Sequence, residues 1–212
     1  MIRYVLFDLD GTLADTEDVI VKSFKHIHKK FNNKELSKKE ILKTFGEPLK
    51  ETLKRDFKEE LEVVLEEYVV FHRDIFHDHL KPHKNAIETV KTLHEEGYSL
   101  GVVTSRLSDT AVEILEIFEI KKYFQSVIAV DNTENHKPHP EPLMKAIQQM
   151  KGDTDSSTYI GDTRFDIECA KNANVKSVLV GWSHHAEEEE DKIAPDFIIN
   201  DFIELVNIIK SN

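Results

Sequence analysis

Two observations predict an α/β fold in which helices cover both faces of a parallel sheet. Short apolar runs rich in β-branched and aromatic residues recur along the chain, and most intervals between them carry amphipathic, helix-like stretches. Alternating strand and helix builds a parallel sheet, because each parallel pair needs a crossover long enough to hold a helix. A third observation adds an inserted helical domain: about seventy residues without a strand signal follow the first run, far more than a crossover requires.

Strands are read at Tyr4–Phe7, Leu100–Val103, Val127–Val130, Thr158–Ile160, Val178–Val180 and Phe197–Ile199. Helix starts are marked by Asn85 with Glu88 three residues on, by Asp201 with Glu204, and by Pro140 in a first turn. Gly97 supplies a stop. Within the insertion, Ile20, Phe24, Ile27 and Phe31 recur at helical spacing, Ser37 and Glu40 form a capping box, and Leu61, Leu65, Tyr68, His72 and Ile75 form a second stripe. Three or four helices are expected there. The chain crosses into and out of the insertion near Ala14–Thr16 and His79–His83. These crossings divide it into a Rossmann-like core (1–14 and 82–212) and an α-helical cap domain (15–81) able to open and close.

The 212 residues are 40% hydrophobic and 32% charged, the composition of an ordinary globular protein with a sizeable core. Forty acidic residues against 28 basic ones give a net charge of -12, which argues against nucleic acid or an anionic membrane as partner. An anionic substrate then needs local compensation by metal, lysine or backbone amides. One cysteine, Cys169, rules out an internal disulfide and fits a reducing compartment, so a cytoplasmic location is expected. The apolar start, Met1–Leu9, is too short for a signal peptide or a membrane span. A monomer is favoured, with assembly left open.

Four motifs fall at successive strand ends, the edge of a parallel sheet where ligands bind. Asp8-Leu9-Asp10-Gly11-Thr12 follows the first strand, and alternation starts Asp8 and Asp10 on one side before Gly11 allows a sharp turn. Two converging carboxylates invite a cation or a shared proton, although a solvated Asp-Gly turn is the plainer alternative. Thr104-Ser105 closes the next strand and offers hydroxyls, with the amides of a helix capped at Ser108, to phosphate oxygens; a structural turn is the alternative. Lys137 precedes Pro138-His139-Pro140 and is placed to neutralise Asp8 and a bound phosphate, unless it is simply solvated. Asp162 and Asp166, in Gly161-Asp162-Thr163-Arg164-Phe165-Asp166, suit Mg²⁺, while the alternative makes Asp162 an N-cap and Asp166 a partner of the helix dipole.

Together these motifs resemble the haloacid-dehalogenase superfamily of phosphatases, whose pattern is Asp-x-Asp-Gly-Thr, a strand-end Ser/Thr, a Lys and Gly-Asp-x-x-x-Asp. The resemblance covers essentially the whole chain, and the branch it most resembles contains phosphoglycolate phosphatases and a bacterial inorganic pyrophosphatase. It implies an Mg²⁺-dependent phosphohydrolase acting on a small phosphorylated metabolite or pyrophosphate through an aspartyl-phosphate. Asp8 becomes the nucleophile, Asp10 the general acid and base, Thr104 a phosphate ligand and Lys137 the stabilising cation. Mg²⁺ is implied at Asp8, the Asp10 main-chain carbonyl and Asp162, with Asp166 supporting directly or through water. Gly11 and Ser105 are further substrate-binding candidates, as are Glu47 and Lys50 in the loop Phe45–Lys50, which a plain helix–helix turn explains equally well. A sugar-phosphate mutase and a catalytically silent binding protein are the rival functions.

Two positions depart from the family pattern. Asn174 ends a helix where glycine is common, and asparagine tolerates the left-handed conformation needed there. His83 stands at the cap exit where Pro-Gly is common, which puts the hinge geometry in question. The remaining histidines, including His72, His77, His79 and the His184-His185 pair, are read as solvated or packed. Cys169 is read as a small packed hydrophobe and Glu187–Asp191 as a solvated acidic run.

Overall fold

The computed structural model describes residues 1–58, 60–183 and 194–212, so His184, His185 and Glu187–Asp191 lie outside the described residues. Six strands form one parallel sheet: β1 (Tyr4–Phe7), β4 (Ser99–Val103), β5 (Phe124–Ile128), β6 (Ser157–Gly161), β7 (Lys176–Val180) and β8 (Phe197–Ile199). Their order is β5-β4-β1-β6-β7-β8, and every pairing is parallel. The connection from β5 to β6 returns across β1, so β1 flanks the point where strand order reverses. A crevice opens at such a point beyond the strands' carboxyl ends.

Side-chain alternation splits the core into two layers. Val5, Phe7, Leu100 and Val102 face α5 (Ala86–Glu95), α6 (Ser108–Ile117) and α9 (Phe202–Ser211), where Val90, Leu93, Ile114 and Leu205 are buried. Leu6, Val103, Ile128 and Tyr159 face the other way, toward α7 (Glu141–Gln149) and α8 (Arg164–Asn172), meeting Leu143, Ile147 and Ala170. Cys169 packs in this second layer, where burial pushes its thiol up to about 12.

Between β1 and β4 lie two short strands, β2 (Ala14–Asp15) and β3 (Lys81–Pro82), which pair antiparallel, and four helices between them. These are α1 (Glu17–Asn32), α2 (Lys38–Leu42), α3 (Leu49–Asp56) and α4 (Leu61–His79). Phe24, Ile27, Ile41, Leu53, Phe57, Val64 and Tyr68 form a separate apolar cluster within this insertion. The stripe on α4 is rotated from the expected one: Val64, Tyr68, His72 and Phe76 are its buried residues, because α1 packs on the line through them. The Ser37–Glu40 capping box is present.

Several local expectations are corrected. The third core strand starts at Phe124, and Val130 has already left it for a 3₁₀ turn, Val130–Asn132. Its inward polar residue, Ser126, is accommodated by donating to Gln149 Oε1 at 2.7 Å, so the strand lacks an unbroken apolar run. Ser108 is the first residue of α6 and not its cap; its hydroxyl donates to Asp131. Asn85 caps nothing with its side chain, which donates to Asp201, and it adopts φ +61°. Asn85 therefore supplies the left-handed residue near the cap exit, while the His83 amide donates to the Leu13 carbonyl at 3.0 Å. Asn174 is left-handed as expected, at φ +54°. Among the described residues, no helix is long and apolar enough to cross a membrane.

Candidate active site

The head of β1 carries Asp8, and burial holds its carboxylate against Lys137. Lys137 Nζ donates to Asp8 Oδ1 at 2.7 Å and to Asp166 Oδ1 at 2.6 Å, and all three side chains are almost fully buried. The loop that delivers Lys137 contains a cis Lys137–Pro138 peptide and runs into α7. Tyr159, projecting from β6, places its hydroxyl 2.9 Å from both Asp166 Oδ1 and the Val103 carbonyl, and Lys137 donates to it at 3.3 Å. Asp166 closes the array from the first turn of α8, where its Oδ2 accepts from the Thr163 amide and hydroxyl in a capping box.

Asp8, Asp162 and Asp166 bring ligand oxygens within 4.8 Å of one another. Burial pushes Asp8 up to about 7 in spite of Lys137, and burial with the neighbouring Asp8 charge drives Asp162 well above the usual carboxylate range. Asp162 Oδ1 is buried without a hydrogen-bond partner, while its main-chain carbonyl accepts from Ser183. An orphaned carboxylate oxygen beside a second carboxylate fits a small hard cation, which would satisfy the oxygen and offset the like charges. The donor set therefore fits Mg²⁺. Asp166 differs from the other two in having both oxygens already engaged.

Asp10 sits two residues on and faces different partners. Arg106 grips it with Nε to Oδ2 at 2.9 Å and Nη2 to Oδ1 at 2.6 Å, and the Thr16 hydroxyl donates to Oδ1 at 2.7 Å. Burial raises the Asp10 pKa, but the Arg106 charge and these hydrogen bonds outweigh it, so the group lies below its ordinary value. Gly11 makes the turn at φ +79°, and a Cβ there would lie 2.2 Å from Asp162 Oδ2, so glycine lets the loop pack directly on that carboxylate.

The carboxylates open into a cavity of about 500 Å³ between the sheet edge and the insertion, lined by Asp8, Asp10, Thr104, Arg106, Lys137 and Asp162 among others. Ser105, Glu47 and Lys50 line it as well. Thr104 Oγ1 accepts from the Arg106 amide at 3.2 Å, and the Ser105 hydroxyl donates to the Gly46 carbonyl at 2.9 Å, tying sheet edge to insertion. The loop carrying Gly46 also lies against α8, since a Cβ on Gly46 would meet Thr163 and Phe165 at 2.8 Å. Glu47 accepts from Thr52 and Arg55, and Lys50, exposed, donates to Glu62 at 3.1 Å.

The structure thus gathers Asp8, Asp10, Thr104, Lys137, Asp162 and Asp166 at one sheet edge. Arg106, Thr16, Tyr159 and Thr163 join them without having been singled out from the sequence. Arg106 carried one local signal: it lies two residues past a strand-end threonine, at the edge where ligands bind.

Known proteins share this architecture over nearly the full length. A protein of Halalkalibacterium halodurans named pyrophosphatase PpaX is 35% identical over 209 residues, covering 98% of this chain and 97% of its own. A protein of the same name from Anoxybacillus flavithermus is 33% identical over 209 residues, with the same coverage. The crystal structure of a protein from Clostridium acetobutylicum, described as a predicted phosphatase, superposes with a TM-score of 0.84 at 26% identity, over 100% of both chains. The family model of haloacid dehalogenase-like hydrolases matches residues 5–180, a span running from β1 through β7 and holding each carboxylate described above together with Lys137. The chain belongs to the haloacid dehalogenase-like hydrolases.

Proposed function

We propose that the chain is an Mg²⁺-dependent phosphohydrolase whose first candidate substrate is inorganic pyrophosphate, hydrolysed through a phosphoryl group carried on Asp8. The observation that carries this reading is the division of labour between the two aspartates. Asp8 is buried against Lys137 and beside an orphaned oxygen of Asp162, whereas Asp10 is held by Arg106 and Thr16. The relatives named pyrophosphatase support the choice of substrate.

Lys137 occupies Asp8 Oδ1, which leaves Oδ2 as the oxygen that attacks phosphorus. Mg²⁺ would be held by Asp8, Asp162 and the Asp10 main-chain carbonyl, and would supply neutralising charge for the carboxylates and the transferring phosphoryl oxygens. Thr104 and the amides that follow it take oxygens of that group, and Lys137 stabilises the charge that develops on it. Asp166, its oxygens spoken for by Lys137 and Thr163, is a positioning residue that aims the lysine. Asp10 protonates the departing oxygen and then takes a proton from the water that releases phosphate from Asp8. Its bidentate grip by Arg106 keeps it ionised, so before the first of these steps the guanidinium shifts from Asp10 toward the substrate and Asp10 takes up a proton from solvent, which it then delivers to the departing oxygen.

Residues 15–81 act as a cap on the core of 1–14 and 82–212, with β2 and β3 as the paired hinge. The Ser105–Gly46 contact marks the closed position, which excludes water from the site. Glu47 and Lys50 contact the leaving group from the cap, and Gly11 contributes by bringing Asp162 close. Phosphate release from pyrophosphate and a panel of small phosphate esters, with Mg²⁺ and then with chelator, tests the reading. Pyrophosphate hydrolysis that stops with chelator, returns with Mg²⁺ and is absent in Asp8→Asn is expected; full turnover by Asp8→Asn overturns it.

A further inference from the structure

The cavity reaches into the insertion, where α1 and α4 contribute Ile20, Phe24, Leu65, Tyr68, Val69 and His72. That wall is largely apolar, with Tyr68, His72 and Arg73 as its polar members. His72 is 8% exposed, and its Nε2 is buried without a hydrogen-bond partner, a condition folded proteins seldom leave uncompensated. The other ring nitrogen, Nδ1, lies 3.2 Å from Ser23 Oγ, whose hydroxyl also contacts the Val19 carbonyl at 2.7 Å. With the Ser23 proton given to Val19, Nδ1 carries the hydrogen and Nε2 presents a lone pair.

Burial and the nearby Arg106 charge push the imidazole down to about 4, which keeps it neutral at pH 7. The ring is braced by Tyr68 and Phe76, with centroids 5.5 and 5.4 Å away. Arg106 lies over the same Phe76 ring, 5.7 Å from its centroid. A cation and a bare acceptor thus share one wall of the cavity, a step away from Asp10.

We propose that His72 is a specificity-determining residue: its Nε2 accepts a hydrogen bond from a P–OH of the leaving phosphate while Arg106 takes an anionic oxygen of the same group. This rests on the phosphohydrolase reading and narrows the substrate to a phosphoanhydride whose leaving half is protonated. The bond between phosphorus and the bridging oxygen breaks, its electron pair stays on that oxygen, and Asp10 supplies the proton there. His72 gains and loses none. A leaving group that offers only acceptors, such as a carboxylate or nitrophenolate, leaves Nε2 unpaired, and a buried polar group without its partner is what gives such sites their discrimination.

His72→Phe keeps a ring and removes the acceptor, whereas His72→Gln restores an acceptor oxygen. With Mg²⁺ present, the ratio of kcat/KM for pyrophosphate to that for p-nitrophenyl phosphate should fall tenfold or more in His72→Phe and recover in part in His72→Gln. Equal losses on both substrates, or an unchanged ratio, overturn the proposal. Nitrogen-15 spectra of the wild-type chain, assigned by comparison with His72→Phe, should show hydrogen on Nδ1; hydrogen on Nε2 overturns it too. Calorimetric binding of methylenediphosphonate in the presence of Mg²⁺ gives a readout independent of turnover, expected to weaken about tenfold in His72→Phe. If the diphosphonate binds both proteins equally, this inference fails alone. If it binds through His72 while no phosphate is ever released from pyrophosphate, the hydrolase reading fails and the acceptor role stands.

Discussion

Replacing Asp8 by asparagine should stabilise the metal-free protein while abolishing its chemistry. Burial raises Asp8 from 3.8 to about 7, so the folded state holds a proton there over a pH range in which the unfolded chain has lost it. The sign follows from that difference: stability is fully present below pH 4, falls as pH rises, and has lost the whole contribution above about pH 7. At 1.36 kcal/mol per pH unit, the interval from 3.8 to about 7 corresponds to about 4 kcal/mol, an upper figure because Asp162, also raised by burial, competes for the same proton. An amide of the same shape never ionises and avoids this cost, while its Oδ1 can still accept from Lys137. Urea unfolding with chelator present, from pH 4.5 to 8, is the assay. The variant should exceed wild type by roughly 2–4 kcal/mol at pH 8, with the gap closing toward pH 4.5. Added Mg²⁺ should stabilise wild type more than the variant. A variant no more stable than wild type at pH 8, or a gap that ignores pH, refutes the claim that Asp8 is a charge held at a cost for a cation.

Three other perturbations probe the same array. Lys137→Met strips from Asp8 and Asp166 the one cation that pairs with them among the described residues, and should cost about 3–5 kcal/mol at pH 8 in the metal-free protein, less at pH 5 where Asp8 can take up a proton; the same urea series reads it, and a uniform loss would argue against it. Arg106→Met removes the group that holds Asp10 below its usual pKa, so the alkaline limb of the kcat/KM profile, where Asp10 loses the proton it donates, should move to higher pH, with Arg106→Lys falling between; an unmoved limb would separate Asp10 from the pH dependence. Gly11→Ala puts a methyl 2.2 Å from Asp162 Oδ2 at a φ of +79°, and should lower both stability and Mg²⁺ affinity, measured by unfolding and by calorimetry. Stability reduced without any change in Mg²⁺ affinity would remove Asp162 from the metal site.

Legibility followed from how local each signal was. Short, largely apolar runs announced β1, β4, β6, β7 and, at the edge of the sheet, β8, because strands covered by helices on both faces bury most of their side chains. Strand β5 was misplaced because its inward Ser126 finds a partner in Gln149, on another element. Strands β2 and β3 have two residues each, too few to show any period. The helix start at Ser37 needed only its own turn and was read correctly, whereas Ser108 is engaged by Asp131, which no neighbouring residue reveals.

The sequence by itself determined the alternating sheet, the long helical insertion and the strand-end residues Asp8, Thr104, Lys137 and Asp162, since each follows from spacing along one stretch of chain. Only the tertiary structure decided which charges meet. Arg106 reaches Asp10 across 96 positions, Lys137 reaches Asp8 across 129, and the His72 ring meets Ser23, 49 positions away. Such pairings are chosen by strand order and helix packing, and the shifts in pKa that come with them arise from burial, which has no counterpart in the linear chain.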